Sequence, residues 1–190
     1  SLAAYVFTRL EFKGRNIVFI LYLSTMMSPI TVRLIPSYNL CRNLNMLDTY
    51  MGMILPQVAW SIPFGTFLMR QFYMGIPKQL DEAAKIDGAN HFQIFWKILL
   101  PNTKSSMTTL GIYTFISAWN NLIWMLLSVR SEGKWTVTLG ISSICGASVI
   151  KQPTWNLIMG VIVIGMIPVL ILFFAFQKYF MQSVAATGIK

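Results

Sequence analysis

Two carboxylates and the only histidine of the chain stand close together in the sequence, at Glu82, Asp87 and His91. A carboxylate beside an imidazole is a combination that can perform acid–base catalysis. Gly88 lies between these residues, however, and a glycine there breaks the fixed helical geometry that a catalytic pair would need. With one histidine and no cysteine nearby, the segment also lacks the ligands of a zinc or iron site. We therefore predict neither catalytic nor metal-binding residues in this chain.

The residues around Glu82 instead have the pattern of two short helices joined by a hinge. Pro77 suits the first turn of a helix, and "KQLDEAAK" after it consists mostly of good helix formers with its acids early. Gly88 accepts the left-handed conformation that a C-terminal cap needs. The small side chains of Ala83 and Ala84 would let a partner backbone approach the first helix closely.

The second helix is predicted to begin after Asn90, which can cap it together with Gln93 in a capping box. Its apolar residues recur at i, i+3, i+4 and i+7, until Pro101 disfavours helix at Leu100. The residues of this stripe are Phe92, Phe95, Trp96 and Leu99. The pattern of two short helices joined by a hinge predicts a compact projection that binds another protein. A helix resting on the bilayer would explain the aromatic stripe but not the first helix or the hinge.

The rest of the chain has the composition of a membrane protein. Of its 190 residues, 55% are hydrophobic and 11% are charged, against roughly 25% charged in an average soluble domain. Four stretches are apolar enough to cross a bilayer as helices, since a span needs about 20 residues. They cover about residues 17–35, 51–70, 107–129 and 157–177. We predict an all-α integral membrane fold, a polytopic helical bundle.

The formal net charge of +9 follows the predicted topology and does not indicate a nucleic-acid surface. With the four spans in place, ten of the fifteen lysines and arginines fall on the side that holds both chain ends, and five fall on the other. The positive-inside rule then places both ends and the loop 71–106 in the cytoplasm. The expected surroundings are membrane lipid, with no nucleic acid as a partner.

We expect one transmembrane domain over residues 1–190. Residues 1–7, "SLAAYVF", have the character of the end of an apolar helix, so we expect the natural protein to have at least one more helix upstream. They lack the basic region and cleavage site of a secretory signal. Between Val137 and Ile150 an apolar run is too short and too polar to span, which favours an interfacial or re-entrant helix.

The two cysteines, Cys41 and Cys145, fall in segments predicted to lie on the outer, extracytoplasmic side of the membrane. A disulfide would be permitted in that compartment. Two unpaired, small apolar side chains are the simpler interpretation, and the sequence favours it.

Four side chains at membrane depth are candidates for a substrate path. They are Gln57, Trp60, Asn120 and Asn121. An amide beside an indole can hold sugar hydroxyls by hydrogen bonding and stacking, but such amides also join helices to one another, and both interpretations stay open. Pro56 and Pro63 flank the first two candidates and are expected to bend their helix, which either lines a pathway or packs against neighbours.

The hinged segment resembles a known motif. Glu82-Ala83-Ala84, three residues, Gly88, nine residues, Ile98, one residue, then Leu100-Pro101 matches the pattern EAA-x3-G-x9-I-x-L-P of bacterial binding-protein-dependent ABC importer permeases at all seven fixed positions. The contexts "SIPFGTFLMRQFYMGIPKQLDEAAKIDGAN" and "TFISAWNN" are similar to the carbohydrate-importer branch. We call residues 71–106 the EAA loop. Members of this family normally have six spans, of which this chain would hold the end of the second and the last four.

The resemblance implies a helical-bundle permease whose EAA loop is a cytoplasmic helix-turn-helix that couples it to an ATPase. A second permease subunit would complete the pathway, a pair of cytoplasmic ATPase subunits would dock on the EAA loops, and an extracytoplasmic solute-binding protein would deliver the substrate. The implied coupling residues are Glu82, Ala83, Ala84, Lys85, Asp87, Gly88, Ile98, Leu100 and Pro101. Glu82 would anchor the docked helix, with Lys85 and Asp87 as polar support.

The chain has no Gly-Lys-Ser/Thr phosphate-binding motif, so we expect it to bind no cofactor itself, with ATP and Mg held by the partner ATPase. Localisation would be the bacterial inner membrane. The cargo expected from the resemblance is a sugar or a related carbohydrate, and a polyol or a glycerol phosphate would also fit. A secondary transporter or channel, or a permease for a non-sugar solute, remains the alternative.

Overall fold

The computed structural model describes residues 1–151 and 155–187, and the side chains of residues 1–146 and 155–177. Within this part of the chain all regular secondary structure is helical, which confirms the predicted all-α class. The predicted interfacial position of Lys178 and the predicted cytoplasmic position of Lys190 lie outside the described side chains. Two compact units can be distinguished, and each is described by itself. Unit 1 holds Ser1–Ser28, Trp60–Gly111 and the end of the last helix, and unit 2 holds Pro29–Ala59 and Ile112–Phe176.

The first of the predicted spans, about residues 17–35, is interrupted. Helix α1 is Leu2–Arg9, and α2 is Arg15–Ser24, which runs into a 3-10 turn at Thr25–Met27. Helix α3, Ile30–Asn43, starts only after Pro29. Proline disfavours helix at the residue before it, and Ser28 is accordingly extended, with ψ at 123°. The stretch is therefore two helices, which satisfy the requirements of one span only when taken together.

The second predicted span is one long helix. Helix α4 is Tyr50–Met74, 25 residues, and continues through both Pro56 and Pro63. The bend expected at these prolines does not interrupt the helix. Thr49 begins it by accepting a hydrogen bond from the backbone N–H of Gly52, 3.2 Å away, as an N-terminal cap does.

The EAA loop contains the predicted pair of short helices. Helix α5 is Gln79–Ile86 and α6 is His91–Ile94. Helix α6 continues into a π-helical turn at Phe95–Leu99 and then into the short helix α7, Leu100–Asn102.

The C-terminal part begins with two helices that meet at a break. Helix α8 is Lys104–Trp119 and α9 is Leu122–Ser128, and the chain bends by 54° between them. After a 3-10 turn at Glu132–Lys134, helix α10 covers Val137–Lys151, where the sequence predicts an interfacial or re-entrant helix. Helix α11 is Trp155–Thr187 and contains Pro168.

The helices agree with a membrane-spanning fold by length and composition. Two of them, Tyr50–Met74 and Trp155–Gln177, are long and apolar enough to cross a bilayer, and the count rises to four if each interrupted pair is one span. The apolar window of Trp155–Gln177 has a mean hydropathy of 3.0, yet only 11% of it is buried inside the chain. A surface so apolar and so little covered requires lipid or another membrane helix against it.

Unit 1 has an apolar core built around the EAA loop. It joins Ala4 and Tyr5 of α1 and Met69 and Tyr73 of α4 to residues of the EAA loop. The EAA-loop residues in this core are Ala84, Ile94, Phe95 and Leu99. Six of these eight side chains are at most 2% exposed, so the two short helices are held firmly by α1 and the end of α4.

Candidate functional site

The first helix of the EAA loop presents its motif to solvent on one side and to the core on the other. Glu82 and Ala83 are exposed, whereas Ala84 is buried against the core of unit 1. Asp81 and Glu82 stand in the first turn of α5, where negative charge complements the helix dipole. Pro77 lies just before the N-cap Lys78 and not in the first turn where we expected it. Its carbonyl still accepts from Leu80 N at 3.4 Å, so Pro77 shapes the approach to the helix.

The hinge between the two helices has the backbone geometry that the sequence predicts. Gly88 has φ at 81°, the left-handed region in which only glycine is free of steric cost. The amide of Ala89 donates to Ala84 O at 2.9 Å, and that of Gly88 donates to Lys85 O at 3.0 Å. These two bonds form a Schellman motif, which satisfies the last carbonyls of α5 and ends the helix at a fixed angle.

The predicted capping box at the start of α6 is confirmed. Gln93 N donates to Asn90 Oδ1 and Asn90 N donates to Gln93 Oε1, each at 2.9 Å. Two amides that would otherwise lack partners are therefore satisfied by side chains of the same turn. Together with the Schellman motif, this leaves the four-residue turn between α5 and α6 with little conformational freedom.

The predicted aromatic stripe is not a single buried face. Phe95 and Leu99 are buried, but Phe92 is 64% exposed and Trp96 is 50% exposed. Phe92 and Trp96 contact each other, with ring centroids 6.0 Å apart, and Ile94 fills the core in their place. The π-helical turn contributes to this result, because its wider turn shifts the residues that follow relative to an α-helical register.

The same turn explains how the helix passes Pro101, where we expected it to end. The amide of Leu100 donates to Phe95 O, five residues earlier, so the backbone widens just before the proline ring. Side chains then satisfy the carbonyls of this turn, with Asn102 Nδ2 bonding Ile98 O at 2.7 Å and Thr103 Oγ1 bonding Leu99 O at 3.0 Å. The prediction that Leu100 would leave the helix is therefore wrong.

Two residues of α1, which the sequence analysis did not single out, hold both helices of the EAA loop. Arg9 forms an ion pair with Asp81, Nε to Oδ2 at 2.7 Å, with side chains only 5% and 10% exposed. The same guanidinium donates to Ile76 O at 2.9 Å. Tyr5 Oη lies 3.0 Å from Nδ1 of His91, and its ring meets Phe95 edge to face. Nothing in the local sequence indicates these pairs, because their partners lie more than 65 residues apart.

The outward side of the EAA loop combines charge with exposed apolar side chains. Glu82, Lys85 and Asp87 are exposed, and Ile86 beside them is 87% exposed. The exposed pair Phe92 and Trp96 belongs to the second helix of the loop. Of the remaining predicted coupling residues, Pro101 is exposed, and Ile98 and Leu100 are half-buried. A rigid surface with uncovered apolar groups among charges is typical of a protein–protein contact.

The substrate-path candidates lie in two different kinds of environment. Gln57 turns back on its own helix, with Nε2 donating to Met53 O at 3.0 Å, and Asn121 caps α9 by accepting from Trp124 N at 3.3 Å. Asn120 is exposed at the break between α8 and α9, and Trp60 is half-buried. Thr138 Oγ1 donates to the carbonyl of Trp119 at this break, 2.5 Å away. Asn121 is therefore structural, and Asn120 is the amide presented outward.

A proline in α4 is compensated by an indole from α9. Pro56 has no N–H, so the carbonyl of Gly52, four residues earlier, loses its helical partner. Trp124 Nε1 donates to that carbonyl at 3.1 Å, and Trp124 is completely buried. A freed carbonyl in a helix apolar enough to span a membrane needs such a donor. The sequence shows the proline but does not indicate which residue donates a hydrogen bond to the freed carbonyl.

Asp48 ties together two loops of unit 2. Its Oδ1 accepts from the amides of Arg130 and Ser131, each at 3.0 Å, and its Oδ2 accepts from the Ser131 hydroxyl. Lys134 approaches the same carboxylate at 3.6 Å. The bond from the Ser131 hydroxyl, followed by those from the two amides, holds the pKa of Asp48 well below its usual range.

Within the described part of the chain, no cluster of three or more histidine, cysteine or acidic side chains could hold a metal ion. Cys41 and Cys145 are both free thiols, and Cys41 is buried.

The comparisons with known proteins agree on one family. Residues 1–186 match the family described as binding-protein-dependent transport system inner membrane component. The chain is similar to the arabinooligosaccharides transport system permease protein AraQ of Bacillus subtilis (strain 168), 34% identical over the whole chain and 66% of that protein. It is similar to the sn-glycerol-3-phosphate transport system permease protein UgpE of Yersinia enterocolitica, 38% identical over 96% of the chain and 64% of that protein.

The structure is similar to a chain in the crystal structure of a bacterial ABC transporter involved in the import of the acidic polysaccharide alginate. The TM-score is 0.75 at 27% identity, over 93% of this chain and 66% of the other. This chain thus spans just under two thirds of the length of each of these relatives.

Proposed function

The chain belongs to the family of binding-protein-dependent transport system inner membrane components, and on that premise we propose that it is a permease subunit of an ATP-driven importer. The observation that carries the proposal is the EAA loop, whose two helices are fixed to the core on one side and uncovered on the other. A channel or a secondary transporter does not need such a rigid, exposed pair of helices, because it is not driven by an ATPase subunit.

The proposed cargo is a carbohydrate or a related solute. This rests on the relatives, which are named for arabinooligosaccharides, for sn-glycerol-3-phosphate and for alginate. Asn120, exposed at the break between α8 and α9, and Trp60 in α4 are the candidate contacts for sugar hydroxyls and sugar faces. Gln57 and Asn121 would support the path by holding their helices in shape.

The proposed partners are a second permease subunit, a pair of cytoplasmic ATPase subunits and an extracytoplasmic solute-binding protein. The ATPase would contact Glu82, Ala83, Lys85, Asp87 and Gly88, with Ile86 packing into it. Both ends of this chain and the EAA loop would face the cytoplasm, as the distribution of basic residues indicates.

The mechanism follows from the rigidity of the EAA loop. When the ATPase pair closes on ATP, the docked helix α5 would move with it. Because α5 shares a packed core with α1 and the end of α4 and is paired to α1 through Arg9 and Asp81, these helices would move together with it. Interactions that are buried and packed transmit displacement, because such a core is not continuously deformable. The membrane helices would then alternate between inward-facing and outward-facing arrangements.

The test is the substitution Glu82→Lys in the full-length protein, assembled with its partners. We expect it to abolish ATP-driven uptake and copurification of the ATPase in mild detergent, while membrane insertion is unchanged. Glu132→Lys is the matched control, since Glu132 is also an exposed acid but lies outside the EAA loop. If the wild-type protein brings down no ATPase, or takes up solute without ATP, the importer proposal is wrong and a secondary transporter or channel replaces it.

A further inference from the structure

A cavity of about 400 Å³ lies in unit 1, where the end of α1, the start of α2 and the end of α4 come together. Three basic side chains line it, Arg15, Arg70 and Lys78, against one carboxylate that is not already paired, Glu11. Arg9 also lines it, but its charge is matched by Asp81. The apolar part of the wall includes Phe7 and Met74. The cavity is therefore a basic site with an apolar side.

Within the part of the chain that the structure describes, no carboxylate pairs with these three cations. Neither of the two ion pairs in the described part of the chain involves Arg15, Arg70 or Lys78. Arg70 packs its guanidinium over the ring of Phe19, 4.4 Å from the centroid, and its Nε is buried with no hydrogen-bond partner among the described residues. A buried guanidinium nitrogen without an acceptor is costly, which indicates that an acceptor is supplied from outside the chain.

The backbone beside this cavity also favours negative charge. Gly14 is the N-cap of α2, with φ at 84°, and no side chain caps the first amides of this helix. The N-terminus of a helix carries partial positive charge and attracts phosphate oxygens. Arg15 is the first residue of α2 and lines the cavity, so the helix end and the side-chain cations act together.

The surroundings of the cavity are those of a membrane surface. Phe12 is 40% exposed and Ile17 is 67% exposed, both within a few residues of Arg15. On the proposed topology, this turn lies at the cytoplasmic boundary of the bilayer. Clusters of basic side chains with neighbouring apolar groups at that depth suit an anionic lipid, whose phosphate and acyl chains need both.

We propose that this cavity binds a phosphate group, with the headgroup of an anionic phospholipid as its source. Arg70 and Arg15 contact the phosphate oxygens as charge-assisted donors, and Lys78 adds charge from the start of the EAA loop. Gly75 and Pro77 also line the cavity, so a bound phosphate bridges the end of α4 to the approach of α5. The lipid would thereby steady the segment that leads into the docking helix. The membrane location and the docking role of α5 in this inference rest on the proposed function.

The experiment measures binding to the purified full-length protein in detergent by native mass spectrometry. Three probes are added separately: phosphatidylglycerol, phosphatidylcholine and inorganic phosphate. We expect phosphatidylglycerol to bind the wild-type protein about tenfold more tightly than it binds Arg70→Gln, the effect of one lost charge-assisted bond. Lys13→Gln is the matched control. It removes one positive charge from the turn between α1 and α2, and Lys13 does not line the cavity.

Arg15→Gln and Lys78→Gln provide further variants of the cavity wall, the second at an exposed position, in case Arg70→Gln does not fold. Weaker binding of phosphatidylglycerol to these variants, with unchanged binding to Lys13→Gln, supports a lipid site. If inorganic phosphate binds in the same residue-dependent way and the lipid does not, the site is a phosphate site with a soluble source. Equal lipid binding by all variants, or equal loss in Lys13→Gln, overturns the proposal. Because no uptake is measured, this result is independent of whether the importer proposal holds.

Discussion

Glycine is needed at positions 52 and 88 for different physical reasons. At Gly52 a Cβ would lie 2.0 Å from the backbone oxygen of Met46, so there is no room for any side chain. At Gly88 nothing lies within 4 Å of the Cβ position, and the need for glycine comes entirely from φ at 81°. Gly52 is therefore a packing requirement, and Gly88 is a conformational one.

Gly88→Ala should destabilise the hinge although there is space for the methyl group. The left-handed conformation costs an alanine about 1–2 kcal/mol, so we expect a lower thermal midpoint of the purified protein and reduced ATP-driven uptake. Gly111→Ala is the matched control, since its Cβ position is equally open and it lies within α8 without a positive φ. Equal thermal midpoints for the two variants would contradict the conformational explanation.

Asp48 gives the stability of unit 2 a dependence on pH. The pKa of its carboxylate is lowered in the folded protein. The contribution of Asp48 to the free energy of unfolding is therefore complete above the ordinary pKa of 3.8 and is lost as the pH falls below that value. We expect the thermal midpoint to fall more steeply between pH 5 and about pH 3 in the wild type than in Asp48→Asn. Glu132→Gln, which changes an exposed acid nearby, should keep the wild-type slope. Parallel slopes in all three proteins would rule out the role of Asp48.

At the scale of the elements, the short helix α1 has a larger role than its eight residues indicate. It contributes Ala4 and Tyr5 to the core of unit 1, bonds α6 through Tyr5 and pairs with α5 through Arg9. The EAA loop is thus held by a helix far from it in sequence as well as by its own flanking helices. Anything that moves α5 must move α1 or break a buried ion pair.

Removing one member of the Arg9–Asp81 pair should be strongly destabilising. Asp81→Asn leaves a buried guanidinium unpaired, which costs about 3–5 kcal/mol, whereas replacing both members by apolar residues is often close to neutral. We expect a large fall in thermal midpoint for Asp81→Asn and a partial recovery for Arg9→Met with Asp81→Leu. Recovery stays partial because Ile76 O also loses its donor. Asp87→Asn, an exposed change at the end of the same helix, should leave the midpoint unchanged.

At the scale of the whole molecule, the chain leaves much apolar surface uncovered. Ile164 and Phe174 on α11 are 65% and 63% exposed, and Ile17 and Ile20 on α2 are 67% and 65% exposed. Scattered apolar residues are normal on soluble proteins, but continuous apolar helices are not. Lipid and a second permease subunit are the proposed coverings, and the phosphate cavity at the end of α1 would lie at the border of the lipid.

The proposed orientation is tested by single cysteines in the full-length protein with Cys41 and Cys145 replaced by serine. Lys13→Cys is expected to react with a membrane-impermeant maleimide only in inverted membrane vesicles, and Glu132→Cys only in intact spheroplasts. Both native positions are exposed, so accessibility within the chain does not limit either reaction. Labelling in the reverse pattern would invert the topology and place the EAA loop outside.

The sequence by itself determined the features that depend on neighbouring residues. Gly88, the capping pair Asn90 and Gln93, and the apolar stretches act within one turn or one helix, so their pattern was sufficient to predict the hinge, the capping box and the all-helical class. The family also followed from a local motif, whose spacing is fixed by those two helices.

Only the tertiary structure decided which residues compensate one another across the chain. It paired Arg9 with Asp81, Tyr5 with His91, and Trp124 with the carbonyl that Pro56 leaves free. It also allowed the helix to pass Pro101 and left Phe92 and Trp96 outside the core. The physical reason is the same in each case: a buried charge or a freed carbonyl must find a partner, and the packing of distant helices determines which residue that partner is.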